Sequence, residues 1–189
     1  MNEKTLIFIP TYNECENVLR LFEGISNLKI QADILFLDDN SPDGTGQILD
    51  ELAKKNPRLT VIHRKAKLGI GSAHQHGICY AYEKGYQILI TMDSDFTHPP
   101  EYILELLNNT DGFDVVVGSR YMLKNGLEGW NLYRKILTTL GHWMTGFFLR
   151  LKYDATGALR LYRLDRIPVY AFDLVASRGY SFFYEIRDN

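Results

Sequence analysis

Two aspartates, Asp93 and Asp95, flank Ser94 directly after the apolar run Ile88 to Met92. In extended backbone, residues i and i+2 project to the same side, so the two carboxylates can share one cation. Ligation by oxygen alone favours magnesium or manganese, and such an ion usually also holds the phosphates of a substrate. Two acids in a polar turn are more often a solvated loop, and it is their place at the end of an apolar run that favours metal. A second acidic stretch, Asp38-Asp39-Asn40-Ser41-Pro42-Asp43-Gly44, ends another apolar run. Asn, Pro, Asp and Gly build turns, which accounts for most of these positions. Two adjacent acids exceed what a turn requires, and a carboxylate there can accept hydrogen bonds from a ribose or a base.

Lys67-Leu-Gly-Ile-Gly71 has the look of a glycine-rich phosphate loop. The dinucleotide fingerprint, however, needs a third glycine where His74 stands and should directly follow its strand, which argues against a nicotinamide cofactor. His74 and His76 have no cysteine or third histidine at zinc spacing and are expected to pack or to line the pocket at a helix start. Arg120 and Arg134 are candidates for neutralising a diphosphate, the guanidinium fork being suited to phosphate oxygens, whereas Lys135 reads as part of a solvated helix face.

The elements that must position these groups are legible as short apolar runs: Leu6 to Ile9, Ile34 to Leu37, Ile88 to Met92 and Val115 to Val117, with a weaker one at Leu59 to Ile62. Continuous rather than alternating hydrophobicity is the mark of a parallel strand covered on both faces. Helical patterns lie between them: Val18, Leu21, Phe22 and Ile25 after an Asn13/Glu16 capping pair; Ile48, Leu49 and Leu52; Ala73 to Tyr82; and Tyr102 to Leu107, opened by Pro99 and Pro100. Alternating strands and helices predict an α/β fold with a mainly parallel central sheet flanked by helices. In open parallel sheets the ligand crevice forms at the carboxyl ends of the strands, where four polar loops would converge: Pro10 to Glu14, Asp38 to Gly44, Asp93 to Asp95 and Gly118 to Arg120. After Gly118 the pattern changes to a long helical stretch from about Trp130 to Leu149, with Ala158 to Tyr162 as a further strand.

The chain has 189 residues, 46% hydrophobic, which suits one domain over residues 1–189 and excludes a disordered or fibrous reading. A formal charge of −2 provides no global field for nucleic acid, so any anion must be held locally. Cys15 and Cys79 have neither CxxC spacing nor disulfide-scaffold density, and are read as buried thiols in a reducing, cytoplasmic setting. No stretch reaches the roughly 18 apolar residues of a membrane span. Ile136 to Leu149 comes nearest and fits burial or an interfacial position better.

Taken together, IPTYNE, LDDNSPDGTG, KLGIGSAHQHG, MDSDFTHPP, GSRY, GWNLYRK and DATGALRLYR, in this order and spacing, resemble the family 2 glycosyltransferases, and within them the dolichol- and polyprenyl-phosphate mannose synthases. The resemblance runs from about Leu6 to Glu185. It implies a GT-A fold, a Rossmann-like nucleotide-binding sheet, with inversion at the anomeric carbon, a divalent metal (Mg2+ or Mn2+) and a nucleotide-sugar donor. By matching position, Pro10, Tyr12 and Glu14 with Asp39 would bind base and ribose, and Lys67, Gly71, Asp93 and Ser94 belong to the same donor site. Asp93 and Asp95 match the DxD, the second acid being the firmer ligand. Thr97 stands where members often carry Gln or Ser and would be a poorer metal ligand than an amide oxygen. Arg120 and Arg134 match phosphate-contacting arginines, and Glu185 an acidic residue near the reaction centre. Members of this branch continue with a basic, Gly- and Ser-containing acceptor loop and often membrane-associated helices, whereas this sequence stops at Asn189.

The resemblance therefore implies transfer of a hexose, foremost mannose from GDP-mannose, to a polyprenyl phosphate at the cytoplasmic membrane face, by peripheral contact or through a partner membrane subunit. A sugar-hydroxyl acceptor would instead require a base, for which Glu185 is the candidate. The competing reading is a non-catalytic nucleotide-sugar-binding or partner-docking module.

Overall fold

Strand β1 (Thr5–Thr11) is buried along its whole length, a consequence of its central place in the sheet. The computed structural model describes residues 3–119 and 157–173. In chain order these form β1, α1 (Val18–Asn27), β2 (Ala32–Asp38), α2 (Thr45–Lys55), β3 (Leu59–His63), α3 (Ile70–Glu83), β4 (Ile88–Thr91), α4 (Tyr102–Asn108), β5 (Val115–Val117), β6 (Arg160–Arg163) and the short α5 (Tyr170–Asp173). The sheet order is β3-β2-β1-β4-β6-β5. The first four of these strands run parallel, while β6 runs antiparallel to both β4 and β5.

Alternate residues of each strand enter opposite core layers, so an uninterrupted apolar run is what burial on both faces demands. Ile7, Ile9, Ile34, Phe36, Ile88 and Ile90 pack with Val18, Leu21, Ile25, Leu49, Ile103 and Leu106 of α1, α2 and α4. Leu6, Phe8, Leu35, Leu37 and Leu89 pack instead with Ala73, Ile78 and Ala81 of α3. Gly77 makes the α3 contact close: a Cβ there would meet the Phe8 ring at 2.6 Å.

Three expectations are corrected. Asn13 does not cap α1; its φ is 59°, and α1 starts at Val18 with the Val18 N–H donating to the Glu14 carbonyl at 3.0 Å. Val115 to Val117 form an edge strand rather than one covered on both faces, and Val115 is exposed. The cysteines are not buried: Cys15 is half-buried and Cys79 exposed, and neither forms a disulfide. The inward positions of α3 are His74, Gly77, Ile78 and Ala81, and Cys79 falls off that stripe.

The chain moves from β1 outward through β2 and β3, then returns to place β4 on the other side of β1. That reversal opens a crevice at the carboxyl ends of β1 and β4, where open α/β sheets bind ligands.

Candidate active site

Each strand that ends at the crevice hands over to a polar loop, and three of those loops supply its walls. Pro10, Thr11, Tyr12 and Glu14 come from β1 and the segment after it, Asp39 follows β2, and Asp93, Ser94 and Asp95 follow β4. The fourth wall is Lys67, Gly69, Ile70 and Ala73, leading into and opening α3. The apolar runs thus place eight of the residues singled out from sequence, Pro10, Tyr12, Glu14, Asp39, Lys67, Asp93, Ser94 and Asp95, around one cavity. Gly71 is buried in the first turn of α3, outside the cavity lining, and the glycine at the wall is Gly69. Its φ of 95° and ψ of 154° lie in a region open essentially to glycine alone. Thr97 also stands outside the lining; its backbone N–H donates to Asp95 Oδ1 at 2.9 Å. Arg120, Arg134, Glu185 and the segment Ile136 to Leu149 lie outside the described residues. Gly118 and Ser119 of the expected fourth loop do not line the crevice.

The two acids at the end of β2 divide their work. Asp38 builds the turn, accepting hydrogen bonds from the Ser41 backbone N–H and hydroxyl and facing His63. Asp39 turns to the crevice and is gripped from behind by Arg64. The turn residues also brace the loop after β1. The Asn13 N–H donates to Ser41 Oγ at 2.9 Å, the Glu14 N–H to Thr45 Oγ1 at 2.9 Å and the Cys15 N–H to Asp43 Oδ2 at 3.1 Å. Burial opposes ionisation of Asp43, yet the hydrogen bonds from Thr45 and Cys15 hold its carboxyl down at about 2.

Across the crevice the electrostatics differ. Burial raises the Glu14 carboxyl above its ordinary value; the Asn17 amide, 2.6 Å away, opposes this, and the negative charges of Asp95 and Asp43 add to it. Glu14 and Asp95 are therefore close enough to repel. The Lys67 ammonium lies 3.8 Å from the centroid of the Tyr12 ring, which sets a cation and an aromatic face together in the wall. Among the described residues no three His, Cys, Asp or Glu side chains gather at metal-holding spacing. An acid pair beside a repelled glutamate nevertheless fits a hard divalent ion of the magnesium class, which takes one or two protein carboxylates and completes its shell with water and phosphate oxygens. His74 stays out of this chemistry. It packs edge-on against Phe8, with ring centroids 5.5 Å apart, and burial, aided by the Arg160 charge, pushes its pKa down to about 3.

The profile of glycosyl transferase family 2 matches residues 6–168, which includes every residue of the crevice. The chain belongs to that family. Its sequence is 37% identical over 183 residues to the polyprenol monophosphomannose synthase of Mycolicibacterium smegmatis, covering 95% of this chain and 69% of the relative. It is 35% identical over 180 residues to the undecaprenyl-phosphate mannosyltransferase of Micrococcus luteus, covering 95% and 74%. Among solved structures, the mannosyltransferase PcManGT from Pyrobaculum calidifontis, in complex with GDP-Man and Mn2+, superposes over 95% of this chain and 54% of its own with a TM-score of 0.55 at 14% identity. The shared architecture is the GT-A fold of family 2 glycosyltransferases, as the motif series implied.

Sequence reasoning did not single out Arg64, Gly69 or the bracing role of Thr45. Gly69 stood inside the glycine-rich run, where the structure moves the emphasis from Gly71. Arg64 carried one faint signal: it directly follows the Leu59 to Ile62 run and His63, where a strand end delivers side chains to the crevice. Among the described residues no helix is long and apolar enough to cross a membrane.

Proposed function

We propose that this family 2 glycosyltransferase moves a mannosyl group from GDP-mannose to a polyprenyl phosphate, with inversion at the anomeric carbon and with the help of Mg2+ or Mn2+. The reading is supported by the names of the two bacterial relatives and carried by one observation. A buried carboxylate after β2, Asp39, and an acid pair after β4, Asp93 and Asp95, open into one crevice on either side of β1. A nucleoside diphosphate needs that pair of sites: an acceptor for the hydroxyl or ring N–H groups of the nucleoside, and acids that hold a cation against the phosphates.

In this reading Asp39 and the Tyr12 face receive the nucleoside, Lys67 and the Gly69 wall lie along the phosphates, and Asp93 and Asp95 hold the ion, with Arg120 and Arg134 as further phosphate partners. The ion supplies charge neutralisation on the departing diphosphate. An acceptor phosphate oxygen attacks the anomeric carbon, the bond from that carbon to the diphosphate oxygen breaks, and the nucleoside diphosphate leaves with the electron pair. A phosphate monoester with a second pKa of about 6 is largely dianionic near neutrality, so no general base is needed. In the same reading the enzyme meets its lipid acceptor peripherally at the cytoplasmic membrane face.

The test is thermal unfolding with GDP-mannose, UDP-glucose, UDP-N-acetylglucosamine and NADH, each with and without Mn2+. A donor at roughly 100 times its dissociation constant adds about 2.7 kcal/mol of stability. A Mn2+-dependent shift with GDP-mannose, followed by GDP release that requires polyprenyl phosphate, supports the reading. A shift only with a uridine sugar replaces the donor, and turnover with a sugar hydroxyl but not with the lipid phosphate replaces the acceptor. Flotation with anionic liposomes tests the peripheral contact, which recovery of all protein in the soluble fraction refutes.

A further inference from the structure

Asp39 enters the crevice with both carboxylate oxygens already engaged on the far side. Arg64, the residue after β3, donates from Nε to Oδ1 and from Nη2 to Oδ2. Its remaining fork nitrogen, Nη1, reaches Ser72 Oγ in the first turn of α3 at 2.8 Å, and Nη2 lies 3.4 Å from the Gly69 carbonyl. The Arg64 backbone N–H donates to the Asp38 carbonyl at 2.8 Å, closing the end of β3 onto β2. The side chains of Arg64 and Asp39 are 6% and 9% exposed, so the ion pair itself is almost entirely withdrawn from solvent. One side chain thus joins two walls of the cavity, the acid after β2 and the glycine turn before α3.

We propose that Arg64 is a positioning residue for recognition of the donor's nucleoside; the inference rests on the crevice being the nucleotide-sugar site. A carboxylate held side-on by a guanidinium cannot rotate, and the lone pairs left to it face the crevice. An ionised carboxylate only accepts hydrogen bonds, so the groups it reads are the hydroxyl or N–H donors of a nucleoside. The three directed bonds of Arg64 need a planar fork, which the point charge of lysine does not reproduce. Ser72 is the outer anchor that fixes the plane of that fork.

The inference is tested by calorimetric binding of GDP, or of UDP where wild-type protein prefers it, beside inorganic pyrophosphate, all with Mn2+, to wild type, Arg64→Lys and Ser72→Ala. Pyrophosphate carries the phosphate contacts without the nucleoside. Arg64→Lys is expected to weaken the nucleoside diphosphate about tenfold or more, the order of one misplaced hydrogen bond to a charged group, while pyrophosphate binding stays within about twofold. Donor KM then rises with kcat little changed. Unchanged nucleotide affinity in Arg64→Lys, or a parallel loss of both probes, overturns the inference. Where Arg64→Lys does not fold, Ser72→Ala decides by the same two probes: selective loss of the nucleotide supports positioning, and unchanged nucleotide binding overturns it. Wild-type protein that binds neither nucleotide overturns the donor reading and this inference with it.

Discussion

The crevice has two acidic shores, and they are built on opposite plans. At the end of β2, Asp38 and Asp39 are 3% and 6% exposed and sit inside the protein's own hydrogen bonds, from Ser41 to the first and from Arg64 to the second. After β4, Asp95 is exposed, accepts the Thr97 N–H and adds to the negative field that raises Glu14. The first shore is complete before any ligand arrives, so its geometry can select. The second places the Asp95 charge where it repels Glu14, a repulsion that the cation it is proposed to receive would offset. A site that must discriminate among nucleosides gains from rigidity, whereas one that must admit and release a charged group gains from an incomplete shell.

Breaking each shore separates the two plans. Asp39→Ala leaves the Arg64 charge buried and is expected to cost about 3–5 kcal/mol of folding stability, read by urea unfolding; a loss within experimental error would mean that the ion pair is not structural. Asp95→Asn is expected to do the reverse. Turnover falls by about 10²–10³-fold, the order seen when one electrostatic stabiliser of a reaction is removed, while the melting temperature without metal holds or rises because a repulsion with Glu14 is gone. Full retention of activity would remove Asp95 from the site. Thr45→Ala deletes the acceptor of the Glu14 N–H and the partner of Asp43, 2.6 Å away, and is expected to cost about 1–3 kcal/mol by urea unfolding, without effect on Mn2+ affinity.

The smallest effect is a pH dependence confined to the finished shore. His63 Nε2 lies 2.9 Å from Asp50 Oδ1 and Nδ1 3.4 Å from Asp38 Oδ2, so the protonated ring can donate to both. The Asp50 hydrogen bond raises its pKa most, burial opposes, and Asp38 adds to the rise. A histidine whose folded pKa is raised contributes stability that is fully present below its unfolded value of about 6.5 and lost as pH rises through the folded value. The stability difference between wild type and His63→Gln is therefore expected to shrink as pH rises from about 6.5 through the raised folded value, as followed by denaturant midpoints. A difference that stays constant across that window would place the His63 contribution in neutral contacts.

Much of this was legible in the chain because local sequence carried it. Runs such as Leu6 to Ile9 announce burial on two faces, and the polar residues that follow each run announce the crevice. What escaped was set by pairing across long sequence separations. A strand is expected over Ala158 to Tyr162 and forms at Arg160–Arg163 with all four residues buried, but nothing local says that it enters antiparallel between β4 and β5. Nor does a lone arginine after a weak strand reveal its carboxylate: the Arg64 partner lies on another strand, and an arginine beside histidine and lysine reads as solvated. Residue type alone does not separate Asp38 from Asp39; the motif resemblance singled out Asp39, and the structure sends Asp38 into the turn and Asp39 into the cavity.

The arrangement of β5 and β6 has a consequence for how such an enzyme can diversify. The Gly118 N–H donates to the Leu159 carbonyl at 2.9 Å, and a Cβ on Gly118 would meet the Leu159 side chain at 2.6 Å. Gly118, just past β5, and Leu159, just before β6, are therefore clasped to each other. Since the entropy of closing a loop grows only with the logarithm of its length, a clasp of this kind sets little penalty on insertions or deletions in the chain that connects Gly118 to Leu159, and variation in length can accumulate there while the sheet keeps its register.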